Sequence, residues 1–427
     1  MTRSALPAVS ALLSLIAFLT LPQACYAQAS YAQASYAKDY HWLQRSAQGL
    51  ELRAITASAS CPSVEIDGTE RPLKERAAAG RGFGVLSCFI LIEDSAKHIL
   101  LAGQEIATPK ARPDTILLIG DTGCRIHFPL VQACNDAQDW PFARLANAAA
   151  QFKPDLIVHV GDFYYREQAC PLADRGCKGS AYGDNWATWE TDFFAPAQNL
   201  LTLAPWIMVR GNHEECQRGG QGWSRFLDPM ARASQTECLS LHEPYRIDLG
   251  DLSLIVMDSS TASEWRMNPV QKEIYQKQFA SLEALAPEGP IWITMHRPIW
   301  AAAAQLLGKA VGGNATLAAA APSLPARTQM ILSGHIHTFQ ILDFEQDWPI
   351  QLITGHSGDQ LHRTAPDHPS GLTLQGAKVR SGLSRSDSFG FALLRRQDKG
   401  EWQLTNYDAS GQSLTSCQLA KKSFACR

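Results

Sequence analysis

The sequence predicts an α/β fold with a small β-rich domain ahead of it, and three observations carry that reading. First, five apolar runs each end in a residue that offers an oxygen or an imidazole. Ile116–Ile119 precedes Gly120-Asp121, Leu156–Val160 precedes Gly161-Asp162, and Trp206–Val209 precedes Gly211-Asn212-His213-Glu214. Trp292–Met295 precedes His296, and Met330–Ser333 precedes Gly334-His335-Ile336-His337. Runs of this kind suit parallel strands buried on both faces, and ligands of open α/β sheets bind at the carboxyl ends of such strands. Second, from Thr115 onward the runs alternate with helical spacing over Trp140–Phe152, Ala187–Ala195 and Val270–Ala286, a βαβ rhythm. Third, Leu50–Ile55, Gly84–Ile92 and His98–Leu101 alternate or run apolar between Gly- and Asp-containing turns.

Taken in order, the chain opens with Arg3, an uncharged apolar stretch from Leu6 to Ala24, and the small-residue exit Ala27-Gln28-Ala29. This is the pattern of a secretory signal peptide over residues 1–29, so export to a periplasmic or secreted location is expected, with no stable membrane insertion after cleavage. An uncleaved anchor helix fits the small-residue exit poorly. Lipidation of Cys25 fits the preceding Pro22-Gln23-Ala24 poorly. The pentapeptide at 26–30 repeats at 31–35, which makes 30–37 a low-complexity spacer.

Residues 38–110 form the expected β-rich domain, and residues 113–427 the expected catalytic domain, joined by a linker near Pro109–Asp114. Strand-like runs after His337, at Phe339–Phe344, Ile350–Thr354, Phe389–Leu394 and Trp402–Tyr407, are expected to complete a second sheet. At 427 residues the chain can bury a large core. Its formal net charge of -3, without Arg/Lys runs interleaved with aromatics, disfavours nucleic acid as a partner.

Eleven cysteines include Cys25; the other ten fall in sequential pairs. An even set after export suggests disulfides. Nearest-neighbour bridges are expected: Cys61 with Cys88, Cys124 with Cys134, Cys170 with Cys177, Cys216 with Cys238, and Cys417 with Cys426. A zinc cluster would want a Cys-x-x-Cys pair, and none is present.

Each strand-end residue is ambiguous alone. Asp after Gly often caps a helix or shapes a turn, and a lone His is more often a hydrogen-bonded core residue. The ordered set resembles the calcineurin-like metallophosphoesterases over residues 120–337: Gly120-Asp121, Gly161-Asp162, Gly211-Asn212-His213-Glu214, His296 and Gly334-His335-Ile336-His337. That resemblance implies a sandwich of two β-sheets flanked by helices.

One departure from the general pattern is informative. Asp121-Thr122-Gly123 lacks the usual Asp-x-His imidazole, and Tyr165 stands three residues after Asp162. This combination, with a structural His159 before Gly161, resembles the purple acid phosphatases. A phenolate with carboxylates suits a hard, highly charged cation. The resemblance implies a binuclear centre. Asp121, Asp162, Tyr165 and His337 would hold a ferric ion, and Asp162, Asn212, His296 and His335 a divalent ion, zinc, iron or manganese. His213 would stabilise the phosphoryl group or protonate the leaving oxygen, with Glu214 orienting its ring. Arg125, Arg297 and His356 are candidates for contacting a small phosphorylated substrate. The implied function is an acid phosphatase acting on phosphate monoesters with a metal-activated water. A phosphodiesterase or nucleotide phosphohydrolase would use the same ligands, and a silent binding protein would have been expected to lose some of them.

Overall fold

The computed structural model describes residues 39–230, 238–306 and 309–427. The expected signal peptide and spacer, residues 1–37, lie outside the described residues. Among the described residues no helix is long and apolar enough to cross a membrane.

The apolar runs form the strands expected of them. Thr115–Ile119, Leu156–His159 and Trp206–Met208 lie side by side in parallel in an eleven-stranded sheet. Ile291–Thr294 and Thr328–Ser333 are parallel neighbours in an eight-stranded sheet. The two sheets pack face to face. Successive side chains on a strand point to opposite faces, so Ile116, Leu118, Leu156 and Val158 meet Leu254, Trp292, Met330 and Leu352 in the central core. Leu117, Ile119 and Ile157 point outward and are covered by the helices Phe142–Ala150 and Ala195–Leu201. On the far face, Ile255, Ile293 and Ile331 are covered by Tyr275, Phe279 and Leu282 of the helix Pro269–Leu285. Asn268 caps that helix by accepting from the backbone N–H groups of Val270 and Gln271, and Pro269 follows at its first position. Covering both faces is why these strands read as unbroken apolar runs rather than alternating ones.

Two expectations about strand membership are revised. The runs after His337 divide between the sheets. Phe339–Phe344 and Ile350–Thr354 join the second sheet, whereas Gly390–Arg396 pairs antiparallel with Thr115–Ile119, and Trp402–Asp408 continues the first. Residues 38–110 are also divided. Tyr40–Ser46 runs parallel to Trp206–Met208, and Gly49–Thr56, Leu86–Ile92 and Lys74–Ala77 extend the same sheet outward. Short strands within 63–105 form a separate four-stranded sheet. The first strand is held because Tyr40 and Trp42 bury their rings against Phe194 and Trp186.

All ten cysteines in the described residues pair with their nearest neighbours in sequence, giving five disulfides.

Candidate metal centre

The five strand ends open at one rim, and the chain must turn sharply at each. Asp121, Asp162 and His335 take positive φ values of 54°, 59° and 70°, conformations uncommon for non-glycine residues. Glycine makes the approach possible. A Cβ at Gly211 would collide with the Asp162 carboxylate, and one at Gly334 with that of Asp121. Both carboxylates are fully buried.

The donors converge. The Tyr165 phenol oxygen lies 2.9 Å from Asp121 Oδ1, 2.9 Å from Asp162 Oδ2 and 3.0 Å from His337 Nε2. His296 Nε2 lies 3.1 Å from Asn212 Oδ1 and 3.1 Å from Asp162 Oδ2. Ligand atoms of Asp162, His296 and His335 fall within 4.8 Å of one another.

The hydrogen bonds behind these groups decide what they can hold. His296 Nδ1 donates to the Val160 carbonyl at 2.9 Å, and His337 Nδ1 to the Gln360 carbonyl at 2.8 Å. Each ring therefore directs Nε2 at the other donors, the nitrogen through which it would bind a metal when neutral. Nitrogen and oxygen donors held about 3 Å apart around one point can share protons or a bound cation. An ion with ligands at ~2.1 Å in octahedral array sets adjacent donors about 3.0 Å apart. The residues fit a metal centre on this ground. Burial, and then the charges of Asp121 and Asp162, hold the Tyr165 phenol well above its ordinary range. It becomes a phenolate only where cations offset those charges.

The residues around the centre are partly those expected. Arg125 lines the cavity, pairs with Asp359 (Nε to Oδ2 3.0 Å) and lies 5.0 Å over the Tyr165 ring. Arg297 is placed differently: it donates to Glu264 at 2.9 Å and to the Ser260 carbonyl, and does not line the cavity. His356 is corrected. It is fully buried, bonded to Asn406 at 2.9 Å, and has no face toward the cavity. Glu214 is corrected too. Its carboxylate accepts from the backbone N–H groups of Gly211, Asp162, Phe163 and Tyr164, so it braces the two ligand turns instead of the His213 ring. His159 stacks on Phe163 and bonds to Thr122, a structural position.

The His213 ring is instead held by Glu167, whose Oε1 lies 3.0 Å from Nδ1, with Arg218 donating to the same carboxylate at 2.6 Å. Burial opposes the charge on Glu167, but the bonds from His213 and Arg218 hold it down at about 2. Glu264 bonds to His335 Nε2 at 3.1 Å, and Asp359 approaches His337 Nδ1 at 3.4 Å. None of these carboxylates was singled out from the sequence. Glu167, two residues beyond Tyr165, carried the one available signal: a carboxylate close behind a candidate ligand. Above the centre is a cavity of about 420 Å³.

A buried pair of carboxylates, a phenol, three imidazoles and an amide around one cavity define a metal-dependent hydrolytic site. The chain belongs to the calcineurin-like phosphoesterase family, whose model matches residues 114–339, and it is a phosphoric ester hydrolase. Among solved structures, a purple acid phosphatase from yellow lupin (Lupinus luteus) seeds is similar, at 14% identity over 89% of this chain and 74% of that one, with a TM-score of 0.57. PhoD is similar at 10% identity over 91% of each chain, with a TM-score of 0.52. At such identities the likeness is one of fold. No curated protein sequence matches the chain.

Proposed function

We propose that this chain hydrolyses phosphate monoesters at a binuclear centre formed by a ferric and a divalent ion (zinc, iron or manganese), and that it works outside the cytoplasm. The observation that carries the reading is the Tyr165 phenol oxygen, 2.9 Å from each of two buried carboxylates. A phenolate, two carboxylates and one imidazole form a hard, anionic donor set, which favours a highly charged cation. Asp121, Asp162, Tyr165 and His337 would hold the ferric ion, and Asp162, Asn212, His296 and His335 the divalent one. When bound, the two ions supply positive charge for the phosphoryl oxygens and activate water.

The chain's own residues do the rest. Arg125, at the cavity wall, offers its guanidinium to a phosphoryl oxygen, while Asp359 fixes its direction. His213 faces the same cavity. Glu167 anchors its Nδ1, and Arg218 Nη2 lies 3.1 Å from Nε2, the nitrogen we assign to protonating a departing ester oxygen once substrate draws the guanidinium away. Five disulfides, which persist in oxidising compartments, support the export part of the reading.

Metal analysis and a visible spectrum of the oxidised protein, followed by turnover of matched phosphate mono- and diesters, test the proposal. At least one iron per chain, two metal ions in all, a coloured protein and faster monoester turnover are expected. Faster diester turnover would move the reading to a phosphodiesterase on the same centre.

A further inference from the structure

The cavity above the centre is not uniformly polar, and its outer wall has a feature that the metal chemistry leaves unused. Trp265 lines that wall with 80% of its surface exposed, and Leu130 lines it with 51% exposed. Water contact with so much apolar surface is unfavourable, and indole is usually well buried. Neither side chain sits on a loosely tethered loop. Glu264, just before Trp265, is bonded through its carboxylate to His335 and Arg297, and its carbonyl accepts from Ala315 N–H at 2.9 Å. Just after Trp265, the Arg266 carbonyl accepts from Ser263 Oγ at 2.8 Å. Leu130 starts the second strand of a hairpin, Ile126–His127 with Leu130–Val131, closed at its base by the Cys124–Cys134 disulfide. Two apolar side chains on separately anchored segments therefore border one cavity whose floor is the candidate metal centre.

We propose that Trp265, with Leu130, forms the binding wall for the leaving group, and that the preferred substrate is a phosphate monoester whose organic arm carries a flat aromatic ring. This rests on the monoesterase reading above and adds the substrate class. The phosphoryl end needs the polar floor, where Arg125 and His213 lie, and the cavity of about 420 Å³ leaves room beyond a phosphate group. An indole face is the side chain best suited to stack on a planar ring. In the reaction, the water oxygen bonds to phosphorus, the ester P–O bond breaks, and the aromatic alcohol leaves with a proton on its oxygen, beside inorganic phosphate.

Two measurements on the metal-loaded, full-length protein test it. The first is the ratio of kcat/KM for naphthyl phosphate to that for a short alkyl phosphate, in wild type, Trp265→Ala and Trp265→Phe; comparing ratios cancels differences in leaving-group chemistry. The ratio is expected to fall about 5- to 10-fold in Trp265→Ala, mainly through KM, and to recover largely in Trp265→Phe. An unchanged ratio, or equal losses on both substrates, overturns the proposal. The second is calorimetric binding of naphthylphosphonate and methylphosphonate, which needs no turnover. Selective weakening of the aromatic compound in Trp265→Ala supports the wall, and equal affinities in wild type and variant overturn it. A wild type that hydrolyses no phosphoester would sink the monoesterase reading alone, and the phosphonates would still decide the role of Trp265.

Discussion

The Tyr165 phenol oxygen lies 3.0 Å from His337 Nε2, although His337 already commits its Nδ1 hydrogen to the Gln360 carbonyl. The phenol has one proton and three close acceptors, two of them carboxylates. A cation satisfies all four groups. Iron loading under air is therefore expected to colour the protein through phenolate-to-iron charge transfer, and Tyr165→Phe to remove that band. A colourless, iron-replete wild type would point to manganese or zinc.

Stripping the metals leaves the buried Asp121 and Asp162 with only imidazole partners among the described residues, His337 at 3.3 Å and His296 at 3.1 Å, to offset their charges. Chelation should lower Tm, and added metal should restore it with a dependence on free metal concentration. At a free concentration 100 times the Kd, the stabilisation is about 2.7 kcal/mol. A Tm that ignores both chelator and metal would contradict the site.

Glu167 and His213 are expected to act as one unit. His213→Ala should slow alkyl phosphates by about 10²-fold or more, and p-nitrophenyl phosphate much less, because a good leaving group needs little protonation. Glu167→Gln should show the same asymmetry in milder form. The double variant should lose less than the product of the single losses. Equal losses on both substrates would argue against proton donation.

His356 makes a stability prediction in place of a binding one. Burial, which outweighs the Asn406 hydrogen bond, pushes its imidazole from 6.5 down to about 4. The unfolded chain therefore takes up this proton before the folded one does. The neutral ring's contribution is complete above about pH 6.5 and is lost as the pH falls toward 4, at up to about 1.4 kcal/mol per pH unit. Denaturant titrations of His356→Gln should show a shallower decline between those pH values than wild type. A parallel decline would place the proton elsewhere.

The disulfides should differ in value by the loops they close. Cys61–Cys88 spans 27 residues and Cys170–Cys177 spans 7. Chain entropy assigns about 3.5 kcal/mol to the longer and about 2.5 kcal/mol to the shorter. Cys61→Ser/Cys88→Ser should thus cost about 1 kcal/mol more in denaturant unfolding than Cys170→Ser/Cys177→Ser, and the reverse order would reject the entropic account.

The convergence of the candidate donors was legible in the sequence because each is tied to a local pattern. Asp121, Asp162, Asn212, His296, His335 and His337 each lie within four residues of the end of an apolar strand, and that strand determines which rim its end occupies. Tyr165 was legible because its spacing from Asp162 is short. The residues that position them were not. Glu167, Glu264 and Asp359 come from loops without periodicity, and they reach His213, His335 and His337 across separations of 46, 71 and 22 residues.

The strand content of residues 38–110 was readable too, but its pairing was not. Tyr40–Ser46 lies against Trp206–Met208 because Tyr40 and Trp42 need the aromatic cover that Trp186 and Phe194 provide. His356 shows the same limit from the other side. It follows a strand as the ligand histidines do, yet Gly390–Arg396 and Trp402–Asp408 cross behind it and Asn406 takes its Nε2. The sequence by itself determined which atoms could bind metal, since local chain geometry sets where a strand ends. Only the tertiary structure decided which of those atoms face the cavity and which carboxylate holds each ring, because that depends on packing between segments far apart in the chain.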